Sequence, residues 1–386
     1  MLNNDVAKNN LLIALLGIAI AGIGFGLVTP VAVILLEKNN TPGYITGLIT
    51  MIGYFAIFVF SPVAGKLYNR YNLKRILMMG MMLWLIGAAG HIFWRNLIIL
   101  IIVKIIMGIG GTLVFIGTEV LINYCSNENN RGKNIGLYAT LLSAGIAIGT
   151  LLIWTVEIAD YFPFLLGSLI MLFVTFFIQI KFNNLFLGNE HYQTKNDFTF
   201  FKMPVLGVFS AFIYGLFESS VVVALPLYAL RLNFTQNEVS YLLASFVVGG
   251  IILLYFISRI ADFYSKYNMI LLISMLLFVL LVFPIFFNSL LFLLVLLFFI
   301  GGVIPAFYTV GLSYTAEKVE YKHITFANSY YIMMYGLGTL VGPVFGSLLV
   351  EWNLRIGYWL ISSVLCLLFF MVFFLLKLIS KFKPQK

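Results

Sequence analysis

Three ionisable side chains stand where water should be scarce, and chemistry is first sought there. Glu218 lies 14 residues into an apolar run over 204–230, and no other acidic residue sits so far inside one. An ionised side chain at the centre of a bilayer costs about 2.5–3.5 kcal/mol even on insertion scales. A carboxyl kept there is suited to taking up and releasing a proton or to gripping a substrate. The alternative is a structural carboxyl tied to a neighbouring helix. Tyr214, Ser219 and Ser220 are its hydroxyl-bearing neighbours. Lys104 lies seven residues inside the run 97–118, about 10 Å along a helix. It could hold an anionic group, pair with Glu218, or extend its stem to the interface. Glu119 falls about 22 Å further along the same axis. There it can meet Arg70 or Arg131, either as a pair that breaks and re-forms between two states or as a solvated pair worth under about 1 kcal/mol.

Catalysis of the usual kinds has little to work with. His91, His191 and His323 are scattered, and Cys125 and Cys366 lie far apart. No metal-ligand spacing, disulfide framework or nucleophile–base constellation results. The reading is therefore not an enzyme, with no cofactor and no metal.

The elements that would carry these residues are membrane helices. The chain has 386 residues, of which 62% are hydrophobic and 10% charged. A soluble domain carries about 25% charged residues, so lipid is the solvent for most of this chain. Segments of about 20 apolar residues can span a bilayer. Twelve are predicted: 11–36, 44–64, 76–94, 97–118, 134–156, 162–180, 204–230, 239–257, 269–287, 290–312, 325–350 and 356–376. Only Asn288-Ser289 separates the ninth from the tenth. The runs lack the alternation of barrel strands, and the first is too long for a cleaved signal. Trp94 and Trp352, at helix ends, are expected as interfacial anchors.

With the N-terminus in the cytoplasm, 18 of the 23 basic residues fall on the cytoplasmic side, four on the other, and Lys104 within a helix. This asymmetry orients the chain and accounts for its net charge of +9 without nucleic acid.

The sequence also repeats. Gly65-Lys-Leu-Tyr-Asn69-Arg70-Tyr after the second segment is echoed by Ser258-Arg-Ile-Ala-Asp262-Phe-Tyr after the eighth, 193 residues on. Gly145 and Gly149 of the fifth segment recur at the same offset as Gly338 and Gly342 of the eleventh. The expected organisation is a six-helix bundle over 1–180, a polar cytoplasmic linker over 181–203, and a second bundle over 204–386. The glycines suit close helix packing. Pro30 and Pro226, in segments one and seven, can kink them.

The stretch Gly65 to Arg75 resembles the loop 2–3 signature of the major facilitator superfamily, with Asn69 in place of its Asp. Lys104-x-x-Met-Gly108-x-Gly110 resembles that family's pattern in helix four, with Lys for Arg. Glu119-Val-Leu, Asn130-Arg131-Gly132, Glu317-Lys-Val-Glu320 and Val341-Gly-Pro343 are most similar to its YcaD-like branch. The resemblance implies an all-α fold of twelve transmembrane helices in two pseudo-symmetric bundles. It implies a central cavity lined by helices 1, 4, 7 and 10, and alternating access. It gives Gly65, Asn69, Arg70, Glu119, Arg131, Asp262 and Glu317 the role of a gate. Proton coupling or substrate binding then falls to Glu218, Lys104 and Tyr214, with Phe25, Tyr308, Tyr330, Tyr331 and Tyr335 as candidate cavity aromatics. The helix-five antiporter pattern is degraded, since Thr150 stands where Pro is usual.

The expected function is secondary active transport of a small organic solute, coupled to protons, by a monomer in the bacterial inner membrane with both termini cytoplasmic. A multidrug or metabolite exporter and a non-transporting receptor or assembly protein of the same fold are the alternatives.

Overall fold

The computed structural model describes residues 4–126, 130–181, 204–319 and 324–382. Twelve helices long and apolar enough to cross a membrane are present among them, and no strand occurs among the described residues. In order they are α1 (Asn4–Lys38), α2 (Gly43–Arg70), α3 (Leu73–Gly90), α4 (Leu97–Tyr124), α5 (Arg131–Leu151), α6 (Phe162–Lys181), α7 (Val205–Arg231), α8 (Gln236–Phe263), α9 (Lys266–Val282), α10 (Leu290–Lys318), α11 (Ile324–Trp352) and α12 (Gly357–Phe382). Lipid as solvent shows in what stays outside. Ile98 and Leu291 are 71% and 75% exposed, which water would penalise and hydrocarbon does not.

Inside the helices, hydroxyls satisfy themselves locally. Thr50 donates to the Thr46 carbonyl at 3.0 Å, Thr112 to Gly108 at 2.8 Å and Thr175 to Met171 at 2.8 Å. Where no water is available, each polar group needs such a partner.

Two compact units form. The first comprises Met1–Gln193 and Thr235–Ala244, the second Thr194–Phe234 and Ser245–Lys386. In the first, α1 packs on α5 and α6, α3 on α4 and α6, and α2 on α4. In the second, α7 packs on α11 and α10, and α9 on α12 and α10. Of the expected linker, all but Lys181 lies outside the described residues.

The repeat holds at the level of single contacts. A methyl placed on Gly145 would strike the Ala19 carbonyl, and one on Gly149 the Ile23 carbonyl. In the second unit Gly338 meets the Phe212 carbonyl and Gly342 the Leu216 carbonyl. Each partner is displaced by the same 193 residues. So are Gly108 against the Gly53 carbonyl and Gly301 against the Phe246 carbonyl. Even the left-handed turn residues that follow α1 and α7, Asn40 (φ 55°) and Asn233 (φ 65°), keep that spacing. Asn is among the few non-glycine residues that tolerate this conformation.

Two sequence expectations are corrected here. The stretch 65–71 reads as a loop in the sequence. It is helical through Arg70, and the chain turns only at Tyr71-Asn72, where the Asn72 side chain caps α3 by accepting from Lys74 N and Arg75 N. The echo at 258–264 is likewise helical through Phe263. Polar side chains at a helix end can reach headgroups and water, so an apolar run underestimates the helix. The other correction is Trp94, which is buried (5% exposed) with Arg95 stacked on its ring at 5.2 Å. Trp352, 66% exposed, is placed as an anchor would be.

Candidate functional site

α7 is buried almost all round. Between 210 and 229 only Phe212, Tyr214, Glu218 and Val222 keep some of their surface open. Residues 214, 218 and 222 recur every four positions, so they form one stripe on the helix. Glu218 is thirteen residues from either end of the helix, at its centre.

Two other helices supply what surrounds it. The Tyr214 hydroxyl, one turn before it, donates to Glu218 Oε1 at 2.6 Å. Tyr335 of α11 donates to Oε2 at 2.7 Å. The close α7–α11 crossing makes this possible, because a methyl on Gly215 would collide with the Tyr335 carbonyl. Rings of Tyr214 and Tyr335 stack at 5.2 Å and 17°. Tyr308 of α10 closes the group, 5.3 Å from Tyr214 and 5.5 Å from Tyr335. Tyr331 lies behind it, 5.2 Å from Tyr308, and its hydroxyl donates to the Tyr308 carbonyl at 2.7 Å. Four tyrosines that stand out in the sequence thus gather at the Glu218 carboxylate, two of them bonded to it. Glu218, Tyr214, Tyr308 and Tyr335 are half-buried, while Tyr331 is fully buried.

The first unit holds a control for this site. At the repeat spacing, Tyr214, Glu218, Tyr308 and Tyr335 correspond to Ala21, Phe25, Phe115 and Leu142. Phe25, expected to line a cavity, sits on Trp84 and Phe115, each at 4.9 Å between ring centres. The same helix crossing is therefore built with apolar side chains, and the fold alone does not require a carboxyl there.

Lys104 also belongs to the first unit. It is 2% exposed, its stem lies 3.8 Å from where a Gly53 methyl would stand, and it has no hydrogen bond or ion pair with any described residue. Its ammonium does not snorkel to an exposed position. It acts electrostatically on His91, a residue whose type and spacing in the sequence argue only against a metal. His91 Nδ1 donates to the Gly87 carbonyl at 2.7 Å, and Nε2 is buried with no partner among the described residues. The α3–α4 hairpin sets the two within electrostatic range, since Gly87 faces Met107 and Gly90 faces Val103. Reflecting the sequence about Asn96–Leu97 sets His91 opposite Ile102–Val103, next to Lys104. An unpaired buried charge is a burden. Lys104→Met is therefore expected to raise the Tm in detergent, by about 2–4 °C for each kcal/mol recovered in a domain of this size, while impairing transport. A fall in Tm would instead make Lys104 a structural tie.

The gate residues are less gathered. Arg70 is exposed and lies over the Tyr71 ring at 5.7 Å, with no ion pair to Glu119. Glu119 acts on Tyr138 of α5, and Glu317 on Tyr314. A methyl on Gly65 would meet nothing within 4 Å. The side chains of Asn69, Arg131 and Asp262 lie outside the described residues. No group of three metal-ligating side chains occurs among the described residues.

Comparison with known proteins agrees with the helix arrangement. The pattern of the Major Facilitator Superfamily matches residues 14–195 and 207–386. The chain is similar to the uncharacterized MFS-type transporter YfkF of Bacillus subtilis (strain 168), 25% identical over 352 residues and 88% of each chain. It is also similar to the uncharacterized MFS-type transporter YcaD of Salmonella agona (strain SL483), 21% identical over 347 residues and 88% of each. The fold resembles that of the nucleoside transporter NupG, with a TM-score of 0.78 over 98% of this chain and 100% of that one at 14% identity. It also resembles a bacterial homolog of the human lysosomal transporter Spinster, inward-facing and occupied, with a TM-score of 0.74 over 97% and 98% at 13% identity. With both halves matched and twelve membrane helices in place, the chain belongs to the major facilitator superfamily and is a multi-pass membrane transporter.

Proposed function

We propose that this transporter is a secondary active carrier of a small organic solute, coupled to protons, in which Glu218 carries the coupling proton. The observation that supports this most is a single carboxylate at the centre of a helix buried on its other sides. Its two oxygens are held by tyrosines from two helices, on the one stripe left open. Membrane-embedded ionisable groups of this kind mark substrate and proton paths. The repeat adds weight, because the first unit makes the same crossing without it.

The carrier works as a monomer by alternating access, in a bacterial inner membrane with both termini in the cytosol. The domain bounds are 1–180 and 204–386 around the linker. Lys104 serves the transport cycle from the first unit. Arg70, Arg131 and Glu119, with Asp262 and Glu317 in the second half, bias the gate between its two states. That Arg70 and Glu119 form no ion pair with each other here fits a pair that is formed in only one of them.

The test begins with a thermal-shift screen of the purified chain against a metabolite library, since a ligand of the folded state raises its stability by mass action. Solutes that bind are then offered to liposomes holding the protein under an imposed pH gradient. Accumulation that collapses on adding a protonophore is expected. Accumulation indifferent to the gradient would end the coupling assignment.

A further inference from the structure

We infer that the group the carrier accepts at Glu218 is a monovalent organic cation, an amine or quaternary ammonium, which takes the place of the proton on that carboxylate. The inference rests on the reading of Glu218 as the transport site and adds the chemistry of what it holds.

The hydrogen-bond accounting of the site carries it. Three tyrosine hydroxyls are already spent as donors. Tyr214 and Tyr335 give their protons to Glu218, and Tyr331 gives its proton to the Tyr308 carbonyl. What Glu218 still presents to a solute is acceptor capacity, the remaining lone pairs of its carboxylate. A carboxylate has about four lone-pair positions, and two are taken. An ionised carboxylate with lone pairs to spare complements a cationic group, and it repels a carboxylate or phosphate.

The rings point the same way. Tyr214, Tyr308 and Tyr335 lie mutually within 5.2–5.5 Å, each with surface left open. Aromatic faces gathered around one anion are the arrangement that recognises ammonium groups.

Among the described residues of the second unit, no cation pairs with Glu218. The groups acting on Glu218 are Tyr214 and Tyr335. The charged residues on the helices packed against the middle of α7 stand toward helix ends: Arg231 on α7 itself, Glu317 and Lys318 on α10, Glu351 on α11, and Lys377 on α12, whose Tyr358 reaches Ser220. Thr315 of α10 packs at the level of Gly207 and Gly342 of α11 at that of Ser219. Those contacts put Glu317 and Glu351 well over 10 Å along the axis from Glu218. The exchange balances simply. One cation binds, one proton leaves the Glu218 carboxyl for water, and no other bond changes.

The test uses the full chain in uncharged detergent, with tetramethylammonium and benzyltrimethylammonium as probes against benzyl alcohol and phenylacetate. Calorimetry is expected to show saturable binding of at least one cation and none of phenylacetate. Affinity should rise about tenfold or more from pH 5.5 to pH 8, because the protonated carboxyl is neutral. Adding cation to lightly buffered protein should release protons. Glu218→Gln should weaken binding at least thirtyfold, and Tyr335→Leu should weaken it several-fold more than Tyr335→Phe, which keeps the ring. Should Glu218→Gln fail to fold, proton release from the unaltered protein decides. Binding of neither cation, or equal binding by Glu218→Gln, overturns the inference. If a screened solute moves with the gradient through Glu218 while the cations do not bind, the substrate class is wrong and the coupling stands. If cations bind and displace protons but no solute follows the gradient, the class stands and the coupling falls.

Discussion

Glu218→Gln is expected to reduce gradient-driven accumulation to a ratio of one while the protein folds and inserts as before. A carrier exchanging one proton per solute can concentrate it up to tenfold for each pH unit across the membrane, about 1.4 kcal/mol. That work is delivered only by a group that binds a proton on one side and loses it on the other. Glutamine keeps the size of the side chain and one carbonyl oxygen to accept from a tyrosine, so the α7–α11 packing survives. It cannot change protonation. The check is the steady-state solute ratio in liposomes under a one-unit gradient, with Tm measured alongside. A variant that still concentrates solute removes Glu218 from the coupling mechanism.

The second large effect concerns the crossing that delivers Tyr335 to that carboxylate. Gly338→Leu is expected to abolish recovery of folded protein, or to lower Tm by many degrees. Any Cβ at this position runs into the Phe212 carbonyl and lies 2.8 Å from Leu216 N. Both are backbone atoms of a rigid helix, so neither can give way as a flexible side chain would. Overpacking commonly costs about 1–3 kcal/mol, and here a whole pair of helices must separate. Gly145→Leu should behave alike at the equivalent crossing of the first unit. Gly65→Ala, where the methyl meets nothing within 4 Å, is the matched control and should leave Tm within a degree or two. Size-exclusion profiles of detergent extracts read all three. A monodisperse Gly338→Leu protein of unchanged Tm would mean that the crossing is looser than described.

How much of this was legible in the sequence varied with the physics behind each feature. Hydrocarbon admits few charges, so the twelve spans stood out. The break between α9 and α10, however, opens earlier than Asn288-Ser289, since α9 ends at Val282, a short turn over Phe283–Ile285 follows, and Ser289 precedes α10. The helix ends did not stand out, because Gly65 to Arg70 carries polar side chains while the backbone stays helical. Glu218 was conspicuous by its depth, and Tyr214 by its place one turn away. Tyr308 and Tyr335 could be named only as members of an aromatic-rich set, since ring contacts between three helices have no local signature. Applying the 193-residue offset to every position, rather than to two landmarks, would have set Phe25 opposite Glu218 beforehand. The electrostatic range of Lys104 to His91 depended on folding a hairpin back on itself.

At the repeat spacing Glu218 is matched by Phe25, so the carboxylate has no acidic twin in the first unit, and this bears on the electrical character of the machine. If one carboxylate trades one proton for one monovalent cation, each turnover returns the membrane to the same voltage it started from. Such a carrier runs on acidity alone. It keeps working in a depolarised cell and can no longer concentrate its solute once the two sides reach equal pH, whatever the membrane potential.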